Sequence, residues 1–193
     1  MRVLRDVMGY VANRIRGKRV LYVGVGDMQG GISVNALSAR DAASEWHGID
    51  ADADLVRQHP DLPIIQLDLN LPIQTALPPV DFVVMTEVLE HLQAPVTTLR
   101  NLGCLLPGVR LIGSVPNALS VGRVVTALWN PDRYDVFDGH HLMVFNRYTL
   151  WKTLTAAGLS DLNTCVYDCH AIVRPFLKWR PDFARGLYFE GVF

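Results

Sequence analysis

The stretch Val20–Gly31, VLYVGVGDMQGG, decides how this chain folds. Its first four residues form a short apolar run of the kind that becomes a buried strand. The chain then turns through Gly24-Val25-Gly26 and passes Gly30-Gly31 just before a helical pattern begins. Strand, glycine turn and helix are the first half of a βαβ unit. Glycine accepts backbone angles closed to other residues and lets a ligand approach the main chain. In an open α/β sheet, ligands bind in the crevice beyond the carboxyl ends of the strands. The spacing G-x-G-x-x-x-G is not the dinucleotide spacing G-x-G-x-x-G, so the later strands must decide what the turn holds.

Working outward, strands and helices alternate. EWHGID, Glu45 to Asp50, reads as the second strand, and Ala51 to His59 as a helix stopped by Pro60. IIQLDL, Ile64 to Leu69, is the third strand, with Asp68 near its end. VDFVVM, Val80 to Met85, is a fourth, continuously apolar as expected when both faces are buried. Thr86 suits the N-cap of a helical turn over EVLEHL, and Pro95 the first turn of the next helix. VRLIGSV, Val109 to Val115, is the fifth strand. Ala118 to Asn146 is irregular and rich in aromatic residues and histidine. Arg147 to Ala157 is helical and stops at Gly158. Asp161 to Asp168 and Gly186 to Phe193 are the last two strands, without a long helix between them. The expected fold is therefore α/β, a doubly wound, mostly parallel seven-stranded sheet with an antiparallel C-terminal strand. Val3, Leu4, Val7, Met8, Val11 and Ile15 recur at helical spacing, predicting an N-terminal helix within residues 1–18, packed on the sheet edge.

Composition bounds the function. At 193 residues, with half of them apolar and 19% charged, the chain suits a single globular domain over 1–193. A net charge of -1 argues against a general nucleic-acid binder. Three cysteines, Cys104, Cys165 and Cys169, give no disulfide framework and suit a reducing, cytoplasmic setting. Neither a signal peptide nor an apolar run of about 18 residues is evident, so no membrane span is expected. The oligomeric state is left open.

The strand ends carry the function. Strand one ends in glycines, strand two in Asp50, strand three in Asp68 and strand four in Thr86-Glu87. In a parallel sheet all four lie on one edge. An acid after strand two can accept hydrogen bonds from a ribose diol. An acid after strand three can reach the far end of the same ligand. Glu87, Glu90 and His91 stand at i, i+3 and i+4, which places them on one face if the segment is helical. Two carboxylates and an imidazole, with His141 as a fourth ligand, suit Mg²⁺ or Mn²⁺.

These residues resemble the class I S-adenosylmethionine-dependent methyltransferases, in particular the branch of the ubiquinone-biosynthesis O-methyltransferases. The similarity runs from about Arg19 to Leu159. It rests on VLYVGVG, GIDAD, QLDLN, DFVVMTEVLEHL, LLPG with GSVPN, and HLMVFNRYTLWKTLTAAGL. The resemblance implies S-adenosylmethionine as cofactor, held by Gly24, Val25, Gly26, Asp50, Ala51, Asp68, Leu69 and Thr86. It implies that Asp50 binds the ribose hydroxyls, that Asp68 with the Leu69 backbone holds adenine, and that Glu87 lines the acceptor side. Metal-binding O-methyltransferases of this kind have a similar E-x-x-E-H with a later histidine. The chain departs from the family where Tyr22 replaces an acid and Met28 replaces a third glycine.

Methyl transfer from a sulfonium needs an oriented, desolvated acceptor, and a hydroxyl acceptor also needs its proton removed. His91, His140 and His141, with Glu87, are the candidates for that step. The expected activity is O-methylation of a small-molecule or sugar-like acceptor, capped by residues 118–146. Three rivals stand beside it. An NAD-dependent oxidoreductase would use the glycine turn and Asp50 but gives no role to EVLEHL. A non-catalytic S-adenosylmethionine-binding protein is motivated by Tyr22 and Met28. An RNA 2′-O-methyltransferase draws only on the Arg- and Trp-containing stretch from Arg174 to Arg185.

Overall fold

The computed structural model describes residues 3–27, 29–130, 141–167 and 179–193. Met28, His140, Cys169, His170 and, of the stretch from Arg174 to Arg185, residues 174–178 lie outside them. The strands are β1 (Val3–Leu4), β2 (Arg19–Val23), β3 (Glu45–Asp50), β4 (Ile64–Gln66), β5 (Phe82–Thr86), β6 (Arg110–Pro116), β7 (Ser160–Tyr167) and β8 (Gly186–Val192). The helices are α1 (Val7–Ile15), α2 (Val34–Ala42), α3 (Ala53–Gln58), α4 (Pro95–Leu105), α5 (Val121–Trp129) and α6 (Arg147–Ala156). One sheet holds all eight strands in the order β1-β7-β8-β6-β5-β2-β3-β4. Only β8 runs antiparallel to its neighbours.

Alternation along the central strands builds two cores. Leu21 and Val23 of β2, Val83 and Met85 of β5, and Leu111 of β6 face one side, against Leu99 and Leu102 of α4 and Leu150 and Leu154 of α6. Val20, Tyr22, Val84 and Ile112 face the other, against Val11 and Ile15 of α1, Ala36 and Ala39 of α2 and Leu55 of α3. Successive side chains point to opposite faces of a strand. A sheet covered on both faces therefore needs the unbroken apolar runs seen in β2 and β5.

The chain order makes a crevice. From β2 it winds outward through β3 and β4, then crosses back to β5 on the other side of β2. The carboxyl ends of β2 and β5 thus diverge at a topological switch point, where ligand sites form in such sheets.

Four expectations need correction. The sheet has eight strands, because Val3–Leu4 pairs with Val166–Tyr167 rather than opening the first helix. Two residues carry too little pattern to be read as a strand. Helix α1, capped by Asp6, lies on a sheet face: Tyr10 stacks edge-on against Tyr188 and Arg14 pairs with Glu190. EVLEHL forms only a single 3₁₀ turn, Leu89–His91, and Thr86 ends β5 instead of capping it. Residues 121–129 are helical, capped by Ser120, with Arg123 buried and Leu128 and Trp129 exposed. Among the described residues no helix is long and apolar enough to cross a membrane.

Candidate active site at the β2–β5 switch point

A cavity of about 1120 Å³ opens over the carboxyl ends of β2, β3, β5 and β6. Pockets for one drug-sized ligand run to about 1,000 Å³, so the cavity has room for a cofactor and an acceptor. Its described lining includes Gly24, Gly26, Asp50, Ala51, Asp68, Leu69, Thr86, Glu87, His91 and His141. Val25 is different: its side chain is fully buried in the core, and its carbonyl accepts from the Ser33 amide at 2.8 Å.

The glycine turn has the shape of a cradle. Gly24 has φ +73°, and a Cβ there would lie 2.8 Å from a methyl of Val88. Only glycine fits both demands. Asp50, at the end of β3, accepts from the Gly26 amide at 2.8 Å and the Asp52 amide at 2.9 Å, one on each carboxylate oxygen. That fixes its carboxylate beside the turn, the place a ribose diol requires. Asp68 lies beyond β4 and accepts from the Asn70 amide at 2.8 Å. The order β5-β2-β3-β4 spaces the ends of β5 and β4 by three strand separations, about 14 Å. A nucleoside with an amino-acid tail fits that span.

The floor under β2 and β5 is hydroxyl-rich. Tyr22 is 1% exposed and its hydroxyl bonds to Thr86. Burial pushes its pKa up to about 12, with the Glu87 charge adding to the shift and hydrogen bonds to Thr86 and Ser33 opposing it. Tyr22 is therefore a neutral phenol where the resembling proteins have an acid.

Glu87 does not share a face with Glu90 and His91. Its backbone is left-handed, φ 55°, because its amide bonds to the Ser114 carbonyl of β6 at 2.9 Å instead of entering a helix. Its carboxylate accepts from the Ser114 hydroxyl at 2.7 Å and the Tyr167 hydroxyl at 2.9 Å. Burial pushes the Tyr167 pKa well up, and the Glu87 charge adds to that. Tyr167 is held in turn by Gly186, where any Cβ would lie 2.1 Å from its ring.

Glu90, His91 and His141 form a second group, from which Glu87 is absent. Their ligand atoms all lie within 4.8 Å of one another. Glu90 is 1% exposed, and its carboxylate lies 4.0 Å from the His141 ring nitrogen. The two imidazole rings meet edge to face at 4.8 Å. Backbone bonds make this meeting: the Leu142 and Met143 amides donate to the Glu90 carbonyl at 2.8 and 2.9 Å. Arg123 of α5 and His141 continue from this group into the main cavity.

Sequence reasoning missed Tyr167, Arg123 and Arg185, which line the cavity, and Ser114, which donates to Glu87. For Tyr167 the signal was present. It is the last residue of a strand parallel to β6 and ends on the same sheet edge.

A methyltransferase-domain family model matches residues 4–164, most of the chain. The chain belongs to that methyltransferase family. Family and sheet topology together make it a class I S-adenosylmethionine-dependent methyltransferase. Solved structures share the fold at low identity. A SAM-dependent methyltransferase from Archaeoglobus fulgidus is 15% identical with a TM-score of 0.65, covering 96% of this chain and 94% of its own. An S-adenosylmethionine-dependent methyltransferase from Mesorhizobium loti is 15% identical, TM-score 0.61, with coverage of 97% and 96%. The N-methyltransferase NodS from Bradyrhizobium japonicum, solved with S-adenosyl-L-homocysteine, is 14% identical, TM-score 0.60, with coverage of 96% and 83%. No curated protein matches the sequence.

Proposed function

We propose that this methyltransferase acts on a hydroxyl of a small-molecule or sugar-like acceptor, in the manner of the ubiquinone-biosynthesis branch. The cofactor lies along β4, β3 and β2: Asp68 and Leu69 toward adenine, Asp50 toward the ribose, the Gly24–Gly26 turn under the methionine. The donor supplies an activated methyl group. The chain's own residues orient the acceptor, exclude water and manage its proton.

The observation that carries an oxygen acceptor is the Glu90–His91–His141 group, whose two imidazoles line the cavity. An alcohol needs a base at transfer, which an imidazole supplies near neutral pH. Buried Glu90 stands 4.0 Å from the His141 ring nitrogen, beside the imidazole that would take the proton. The acceptor then sits between His91, His141 and the wall made by Ser120 to Arg123 at the start of α5.

A second reading is favoured by the donor set. With Glu87 absent, one carboxylate and two imidazoles suit Mn²⁺ or Fe²⁺ better than Mg²⁺, and the ion would lower the pKa of a coordinated hydroxyl. Ligand atoms of such cations stand about 2.1 Å from the ion, so this group needs only to close slightly. Glu87 is not among those ligands.

The test is methyl transfer from labelled S-adenosylmethionine across a panel of phenols, sugars and amines, with and without chelator. Transfer to hydroxyls that falls at least about tenfold in His141→Ala supports the reading. Loss in chelator, restored by Mn²⁺, selects the metal. Transfer to amines only, untouched by His91→Ala and His141→Ala, would overturn it.

A further inference from the structure

S-adenosylmethionine carries an ammonium on its methionine end, and something in this chain must answer that charge. Four carboxylates line the described part of the main cavity: Asp27, Asp50, Asp68 and Glu87. Asp50 has both oxygens on backbone amides at the end of β3. Asp68 stands past β4, at the opposite end of the crevice. Asp27, exposed like Glu87, differs in being folded back on its own loop, with one oxygen accepting from the Gln29 amide at 2.8 Å and the Gly31 amide at 2.9 Å. At the end of β2 the place is taken by Tyr22, a neutral phenol already bonded to Thr86.

Glu87 is the carboxylate left at the β2–β5 end. The next residue, Val88, packs over Gly24, so the Glu87–Val88 segment lies against the glycine turn. Glu87 is fixed at three points: its amide on the Ser114 carbonyl, and one carboxylate oxygen, Oε1, on both the Ser114 and Tyr167 hydroxyls. Both donors use that oxygen. Among the described residues no hydrogen bond reaches Oε2. A left-handed non-glycine residue held at three points is the kind of backbone that persists where a site requires it. The Glu87 charge adds to the upward shift of both Tyr22 and Tyr167, so the carboxylate lies near both phenols.

We propose that Glu87, through Oε2, binds the methionine ammonium of the cofactor, and that Ser114 and Tyr167 are positioning residues that aim it. This rests on the cofactor placement given above. It leaves His91 and His141, not Glu87, to handle the acceptor proton.

The experiment is calorimetric and needs no acceptor. S-adenosylhomocysteine has the ammonium, whereas 5′-methylthioadenosine keeps the nucleoside and sulfur but lacks the amino-acid tail. Both are titrated into the wild type, Glu87→Gln, Asp27→Asn and Tyr167→Phe. Glu87→Gln keeps the side chain's shape and still accepts from Ser114 and Tyr167. A charge-assisted hydrogen bond predicts a loss of about tenfold to a hundredfold for S-adenosylhomocysteine and under about twofold for methylthioadenosine. Tyr167→Phe should show a smaller loss with the same selectivity, and Asp27→Asn none. Four results would overturn the proposal. The first is unchanged S-adenosylhomocysteine affinity in Glu87→Gln, meaning that Glu87 faces the acceptor. The second is an equal loss of both nucleosides, meaning that its role is structural. The third is the selective loss appearing in Asp27→Asn instead. The fourth is a wild type that binds methylthioadenosine as tightly as S-adenosylhomocysteine. A wild type binding neither would remove the cofactor placement along with it.

Discussion

Strands β2 and β5 lie side by side, and their two ends are built to opposite rules. At the amino ends, Arg19 and Asp81 satisfy each other completely. The Arg19 amide and guanidinium donate to the Asp81 carboxylate at 2.9 and 2.8 Å, and the Asp81 amide returns a bond to the Arg19 carbonyl at 2.9 Å. At the carboxyl ends, Gly24 and Glu87 both hold positive φ, and both line the cavity. One end fastens the sheet. The other holds backbone in a costly region, on the order of 1 kcal/mol or more for a non-glycine residue, so that groups point at a ligand. Strand sequence alone does not separate the two ends; the chain crossing after β4 does, by opening the crevice on one side only.

Gly24→Ala should break this contrast most strongly. The new methyl meets Val88 and forces alanine into left-handed backbone. We expect cofactor affinity to fall by about 2–4 kcal/mol in calorimetry, with a loss of about 1–2 kcal/mol in chemical denaturation. Unchanged affinity would mean that no ligand lies on the turn.

The amino end should respond weakly. The hydrogen bonds from the Arg19 side chain and then its amide hold the Asp81 carboxyl down at about 2. A lowered folded-state pKa gives stability that is present above the unfolded value, about 4, and lost as pH falls toward 2. Both groups are solvent-screened, so Asp81→Asn should cost under about 1 kcal/mol at neutral pH. Its denaturation midpoint should also vary less between pH 4 and 2. A loss of several kcal/mol would show that the amino end is as critical as the carboxyl end.

What could be read from the sequence follows the same division. Glu45–Asp50 is recovered to the residue because alternation and its flanking turns leave no second register. That Gly24 and Asp50 line one crevice is legible because strand ends in a parallel sheet share an edge. The left-handed turn that parts Glu87 from Glu90 and His91 was not, because EVLEHL favours helix locally and only the Ser114 carbonyl, 27 residues away, captures the Glu87 amide. Tyr167 was missed because the strand read as Asp161 to Asp168 carries no local mark of which of its residues reaches the crevice. Helix α5 was read as irregular because its one charge, Arg123, faces inward while Leu128 and Trp129 face out, the reverse of the usual pattern.

The central claim is that the β2–β5 crevice holds a sulfur nucleoside, and binding to the wild-type protein tests it most directly. Calorimetry with S-adenosylmethionine, S-adenosylhomocysteine and NAD should give micromolar binding of both sulfur nucleosides, about −8 kcal/mol, and none of NAD. Tight NAD binding with no response to either sulfur nucleoside would contradict the account.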